Sequence, residues 1–345
     1  MIIGSMNAPT PPVTTAATPA FTPAVTPAAM TVTTTDTPPA RAPCGMLRLA
    51  DWGLIRARGA DAASFLHGQL TQDVTALSAD ARLAGYCTAK GRLLASFVLW
   101  RGDEDTIDLA CSADLLAPTL KRLSMFVLRA KCKLSDGSAE VALYGLAGTV
   151  ATAWLGDSAP ARPWTTLPAG PGRAVRLPDA AGQARYLLTL PADAPAPALP
   201  ALAADDWAWL EVKSGVVRIV AATAEQFVPQ MVNLELVGGV NFQKGCFPGQ
   251  EIVARSQYRG TLKRRLMAFD SDAPLAAGQE VFHSADPGQP AGLVALAAAR
   301  PGGGGSALIE IKLAALDGGS LHAGRADGPL LARGALPYTI PADAA

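Results

Sequence analysis

Asn241-Phe242-Gln243-Lys244-Gly245-Cys246-Phe247-Pro248-Gly249-Gln250-Glu251, running on into Ile252, Val253, Ala254 and Arg255, is the least generic stretch of this chain. A thiol, an ammonium, an amide, a carboxylate and a guanidinium fall within one turn-like segment, with two glycines that permit a tight backbone path or close approach of a ligand. A core strand or an ordinary surface loop has little reason to collect those groups. A site that grips a polar, partly anionic ligand does.

Composition limits what the segment can belong to. The chain has 345 residues, half of them apolar, enough for about two domains with a sizeable core. Lys plus Arg and Asp plus Glu number 29 each, so no overall field draws the protein to nucleic acid or membrane, and any electrostatic attraction is local. The five cysteines (Cys44, Cys87, Cys111, Cys132, Cys246) are scattered with no C-x-x-C pair, which disfavours a disulfide framework and a closed zinc site. His67, His283 and His322 are equally dispersed, and no metal site is expected. No signal peptide, transit peptide or apolar membrane span is evident, so a cytoplasmic location is expected.

Residues 1–43 are dominated by Thr, Pro and Ala without apolar period and read as a disordered tail. From Met46 the pattern becomes α+β. Asp61 followed by Ala62, Phe65, Leu66 and Leu70 predicts a helix ended by Thr71-Gln72-Asp73-Val74. Tyr86-Cys87-Thr88, the turn Ala89-Lys90-Gly91-Arg92 and the run 93–100 predict a β-hairpin. A strand is expected over 107–111, and a helix from Ser112 or Asp114 with Pro118 in its first turn. Strands follow over 131–134 and 141–146. Residues 156–204 read as long surface connections around one strand, 186–190, and a helix resumes at Asp205 or Asp206 and breaks at Ser214-Gly215. After residue 263, four short strands between Gly- and Pro-rich turns predict a small all-β unit.

Lys244 through Glu251 resembles the K-G-C-[FY]-x-G-Q-E signature of the YgfZ family of folate-binding proteins, relatives of the aminomethyltransferase (T-protein) of the glycine cleavage system. Phe227-Val228-Pro229-Gln230, Asn233-Leu234-Glu235, Gly238-Gly239, Arg259-Gly260, the run from Phe65 to Val74, Lys90-Gly91-Arg92 and Leu128-Arg129-Ala130-Lys131 resemble the same family. The likeness covers roughly residues 46–270. It implies a three-lobed T-protein-like fold: two mixed α/β lobes (44–262) around a central folate cavity, and a C-terminal β-barrel (263–345).

The resemblance implies tetrahydrofolate, or a derivative, as ligand. Glu211 or Glu251 would accept the paired N–H groups of a pterin, and Gln230, Asn233, Gln250, Arg255 and Arg259 are the further expected folate contacts. Lys244, Arg255, Arg259, Lys263, Arg264 and Arg265 against the single acid Glu251 suit a polyanionic tail, or else form a solvated basic strand surface. Gln69, Lys90, Arg92 and Arg129 are weaker candidates, equally readable as caps, turn formers or edge charges. Cys246 is either a thiol made reactive by nearby Lys244 or a buried small hydrophobe, and the motif favours the first.

T-proteins carry an Asp-Asp pair at the end of the hairpin, where an aspartate acts near the folate nitrogen. Here Ala95 and Ser96 occupy those positions, and neither can hold a negative charge or shuttle a proton as a carboxylate does. The resemblance therefore implies a folate-binding accessory protein for assembly or repair of iron–sulfur clusters in client enzymes, including the radical enzymes that methylthiolate transfer RNA. One cysteine cannot hold a cluster, so the cluster would belong to the client. A folate-dependent aminomethyltransferase or demethylase is the alternative, and an RNA-binding accessory protein the second; stable nucleic-acid binding is not expected, because few aromatics accompany the charges.

Overall fold

The computed structural model describes residues 42–258 and 262–341, so most of the Thr/Pro/Ala-rich stretch, and Arg259, lie outside the described residues. Three antiparallel sheets organise the chain. The first takes Ala81–Cys87, Leu93–Arg101, Thr106–Ser112, Trp52–Arg58 and Lys133–Asp136, in that spatial order. The second takes Gly45–Arg48, Val141–Ala147, Gln183–Pro191, Gly172–Ala180 and Thr166–Ala169. The described residues thus enter the second sheet first, leave to build the first, and return. The third sheet holds Leu321–Ala323, Glu280–His283, Asp286–Ala299, Gly305–Lys312, Arg264–Ser271 and Ala332–Arg333. It curls into a half-barrel, the C-terminal β unit that was expected.

Period-two alternation decides which side chains meet. Along Gln183–Pro191, Tyr186, Leu188 and Leu190 join the apolar cluster under the helix Gly148–Leu155, whereas Leu187 joins the core shared with the first sheet. Arg185 stands on the Leu187 side. The helix Ala204–Lys213 lies between this sheet and the half-barrel. Gly145 makes room for it: a Cβ there would lie 2.8 Å from the Trp207 ring, so only glycine lets the indole rest on the sheet. On the other side Trp209 Nε1 donates to Ser306 Oγ at 3.2 Å, and Lys213 pairs with Asp270 at 3.2 Å. One core runs from Leu54 and Leu99 through Leu187 and Leu210 to Leu266 and Leu308.

Several elements depart from expectation. Pro118 sits inside the helix Ala113–Ser124 and not in its first turn. Residues 166–169 and 172–180, read as surface connection, are strands whose Ala174, Val175 and Leu177 are buried. The end of the signature is a helix, Gln250–Tyr258, in place of a strand surface.

The half-barrel is held to the rest by a buried ion pair. Arg265 Nη1 donates to Glu235 and to the carbonyl of Gln230 at 3.0 Å, with side chains only 2% and 5% exposed for Arg265 and Glu235. Burial pushes the Glu235 carboxyl upward and Arg265 works against that. Arg265 and Arg264, the latter paired with Glu310, are therefore consumed by structure and do not form a basic surface. Removing one partner of such a pair costs about 3–5 kcal/mol. Arg265→Met is expected to lose that much in denaturant unfolding, and a loss below ~1 kcal/mol would contradict the role given to the pair.

Candidate functional site

A small, partly open cavity lies between the first two sheets, beside the helix Ala204–Lys213. Trp52, Phe97 and Trp164 supply aromatic wall, and Ser96, Ser214, Arg185, Glu211 and Arg218 its polar groups. Trp164 adopts a left-handed backbone with φ 65°, an outlier for a bulky residue, held by its N–H on the Arg176 carbonyl at 2.8 Å and by its own carbonyl accepting from Ala81 N at 2.9 Å.

Glu211 is fixed in place. Arg218 Nε and Nη2 each lie 3.1 Å from one of its oxygens, and the guanidinium also reaches Asp51, Ser112 Oγ at 3.0 Å and the Trp52 ring at 5.0 Å. Burial opposes the charge on Arg218, but Glu211 and Asp51 more than offset it, and its pKa is raised. A carboxylate so forked keeps a second lone pair on each oxygen for a ligand. Ser96 Oγ accepts the Ile219 N–H at 3.0 Å.

The signature forms a second centre. Gly249, at φ +81°, packs on the hairpin turn: a Cβ there would lie 2.4 Å from the Thr88 carbonyl oxygen and 2.6 Å from Gly91 Cα. Two stretches that the sequence sets more than 150 residues apart are thus in backbone contact. Lys244 Nζ donates to the carbonyls of His67 and, at 2.8 Å, of Leu70, and lies 4.9 Å from the centre of the Phe247 ring. Burial lowers its pKa to about 8, against the raising influence of Asp73 and Cys246. Cys246 is exposed, whereas burial pushes the Cys87 and Cys111 thiols up to about 12. His67 Nδ1 meets Asp73 Oδ1 at 3.0 Å, and its Nε2 faces Gly245, 3.5 Å from where a side chain there would begin. Thr75 Oγ1 at 2.7 Å and the Ala76 N–H at 3.0 Å also donate to Asp73, bringing its carboxyl down to about 2.

Of the expected folate contacts among the described residues, Glu211 lines the cavity and Gln230, Asn233, Gln250, Glu251 and Arg255 do not. Gln230 is buried with its Nε2 on the Val253 carbonyl at 2.8 Å, and Asn233, at φ 54°, donates to the Leu266 carbonyl at 3.1 Å; both tie elements together. Gln250 is half-buried at the start of the signature helix. Glu251 and Arg255 are exposed on it, 3.7 Å apart. Lys90 is exposed in the hairpin turn and Arg92 donates to the Gln226 carbonyl. Gln69 Oε1 is buried without a partner, and Arg129 is exposed beside Leu128. Sequence reasoning missed Arg185, Arg218, Trp52 and Trp164. For Arg185 a signal existed: a lone cation at a core-facing position of an otherwise apolar strand.

No family model matches the chain. Proteins named "tRNA-modifying protein YgfZ" do: the one from Edwardsiella ictaluri is 39% identical over 244 residues, covering 66% of this chain and 72% of that protein. The one from Yersinia pseudotuberculosis is 31% identical over 250 residues, 69% and 75% of the two chains. The chain belongs to the YgfZ family. Its fold matches that of the glycine cleavage aminomethyltransferase T from Bartonella henselae, with TM-score 0.65 over 86% of each chain at 17% identity. In this YgfZ-family chain the signature and the cavity are separate centres, since no residue of 241–258 lines the cavity.

Two outcomes follow from the signature's geometry. Gly249→Ala forces a left-handed backbone on a side chain, about 1–2 kcal/mol, and drives the methyl into Thr88 and Gly91. A fall in Tm of several degrees is expected, and an unchanged Tm would show that the hairpin contact yields freely. Asp73 titrates at about 2 folded against an ordinary 3.8, so its stabilisation is complete above pH ~4 and is lost as pH falls through about 2. The stability gap between wild type and Asp73→Asn, followed by denaturant melts from pH 7 to 2, is expected to stay level down to pH ~4 and then close.

Proposed function

We propose that this protein binds tetrahydrofolate or a derivative in the central cavity and serves client enzymes that carry iron–sulfur clusters, those that modify transfer RNA among them. One observation carries the folate reading: a carboxylate locked in an aromatic-walled cavity, Glu211, with its free lone pairs available to paired N–H donors such as those of a pterin. The unpartnered donors Trp52 Nε1 and Arg185 Nε beside it call for a ligand that also offers acceptors, as a pterin does. Membership of the YgfZ family and the T-protein-like fold support the same ligand.

The accessory role rests on family resemblance and on the exposed Cys246, set in a rigid loop with the His67–Asp73 pair nearby. Ser96 lines the cavity where the resemblance places a T-protein carboxylate. It supplies no negative charge, which disfavours aminomethyl transfer by that route.

Titration of the purified protein with tetrahydrofolate tests the reading. Glu211→Gln removes charge-assisted bonds of about 2–3 kcal/mol, so binding is expected to weaken ~30- to 150-fold. Cys246→Ala is expected to leave folate binding unchanged while lowering the activity of an iron–sulfur client matured with it. Wild-type protein that takes up no tetrahydrofolate would end the folate reading; a client indifferent to Cys246→Ala would end the thiol's part in it.

A further inference from the structure

Among the described residues, Arg185 is the one cavity-lining cation without a carboxylate on its fork. It is 3% exposed, stacks 4.6 Å over the Trp207 ring, and makes no side-chain hydrogen bond among the described residues, its Nε being buried and unpartnered. Burial brings its pKa down to about 10, and Glu211 and Asp179 hold it up against that cost. Such a group is expensive in an empty core and implies an acceptor that arrives with a ligand.

Its position narrows what that acceptor is. Trp207 and Glu211 lie one turn apart on the same face of the helix Ala204–Lys213, about 6 Å along its axis. The guanidinium stacked on Trp207 lines the same cavity as the Glu211 carboxylate, close enough for the two charges to interact. Together they present an acceptor pair and a neighbouring donor. The complementary edge carries two adjacent N–H donors followed by a carbonyl, the pattern of a 2-amino-4-oxo pyrimidine ring. Trp52 Nε1, also buried and unpartnered at the cavity, adds another donor and no acceptor.

We propose that Arg185 reads the 4-carbonyl of a pterin seated on Glu211, and so selects 4-oxo over 4-amino rings. This rests on the folate reading above and adds the residue that sets its specificity. A 2,4-diamino ring turns the carbonyl acceptor into a donor facing Arg185 and is more readily protonated, so both changes set positive charge against the guanidinium. A site built to meet one polar group discriminates against the analogue lacking it, because its own buried donor is left unpaired.

Fluorescence titration of the full chain with tetrahydrofolate and with its 4-amino counterpart, tetrahydroaminopterin, tests this. Wild type is expected to bind the 4-oxo compound at least tenfold more tightly, about 1.4 kcal/mol. Arg185→Met, of similar length and free of the buried charge, is expected to bring the two affinities within about threefold of each other, chiefly by weakening tetrahydrofolate. Wild type with equal affinity for both compounds would overturn the role of Arg185 and leave the folate reading standing. So would Arg185→Met with its preference intact. Binding of neither compound to wild type would overturn both. The ligand-free Tm of Arg185→Met is expected at or above that of wild type, which separates a recognition residue from a structural one.

Discussion

The bidentate contact of Arg218 on Glu211 is the interaction on which the cavity depends. One guanidinium joins the helix Ala204–Lys213 to the first sheet, through Glu211 on one side and Asp51 and Ser112 on the other, while lying over Trp52. Burying a single charge there would be costly; burying one cation between two carboxylates with its hydrogen bonds satisfied is not. The same contact holds the Glu211 carboxylate oriented inside an aromatic enclosure. Charge that stabilises the junction is thereby also the charge offered to a ligand.

The cavity and the signature lie apart. The strand Leu93–Arg101 has Ser96 in the cavity wall and, at its start, bonds from Leu93 to Phe227 and Glu225 that lead to the hairpin turn under the signature. From Leu93 to Ser96 the strand covers roughly 10 Å. The thiol sits on the exposed, glycine-tight loop beyond that turn, held by Lys244 on the carbonyls of His67 and Leu70. Lysine here is a pin for the loop.

Elements with clean periodicity were legible. The hairpin around Gly91 and the strand Thr106–Ser112 fall where alternation places them; the helix Ala204–Lys213 also forms where expected, but Ala203 is its N-cap and Asp205 and Asp206 sit inside its first turn without capping it. The strands 166–169 and 172–180 were not, because Pro, Gly and Ala interrupt the alternation and the pairing with Gln183–Pro191 supplies what local propensity lacks. The signature helix Gln250–Tyr258 buries one residue, Val253, so no apolar stripe announces it; its first turn is ordered by bonds to Phe247 and Gly249 carbonyls and by Gln230. Gln230, Asn233, Glu251 and Arg255 carry polar groups suited to folate, yet two are consumed by tertiary ties and two face solvent. Polarity in sequence does not say whether a group meets protein, water or ligand.

By itself the sequence determined the family, through the Lys244–Glu251 signature and its ordered flanking blocks, and with the family the α+β architecture. It also determined that Ala95 and Ser96 leave the hairpin without carboxylates. Tertiary structure alone decided that Glu211 and Arg185 face one cavity, that the signature lies outside it, and that Gly249 rests on Gly91. The physical reason is range. Motifs and periodicity record local backbone needs, whereas a site is made where strands remote in the chain turn their alternate faces to a common space.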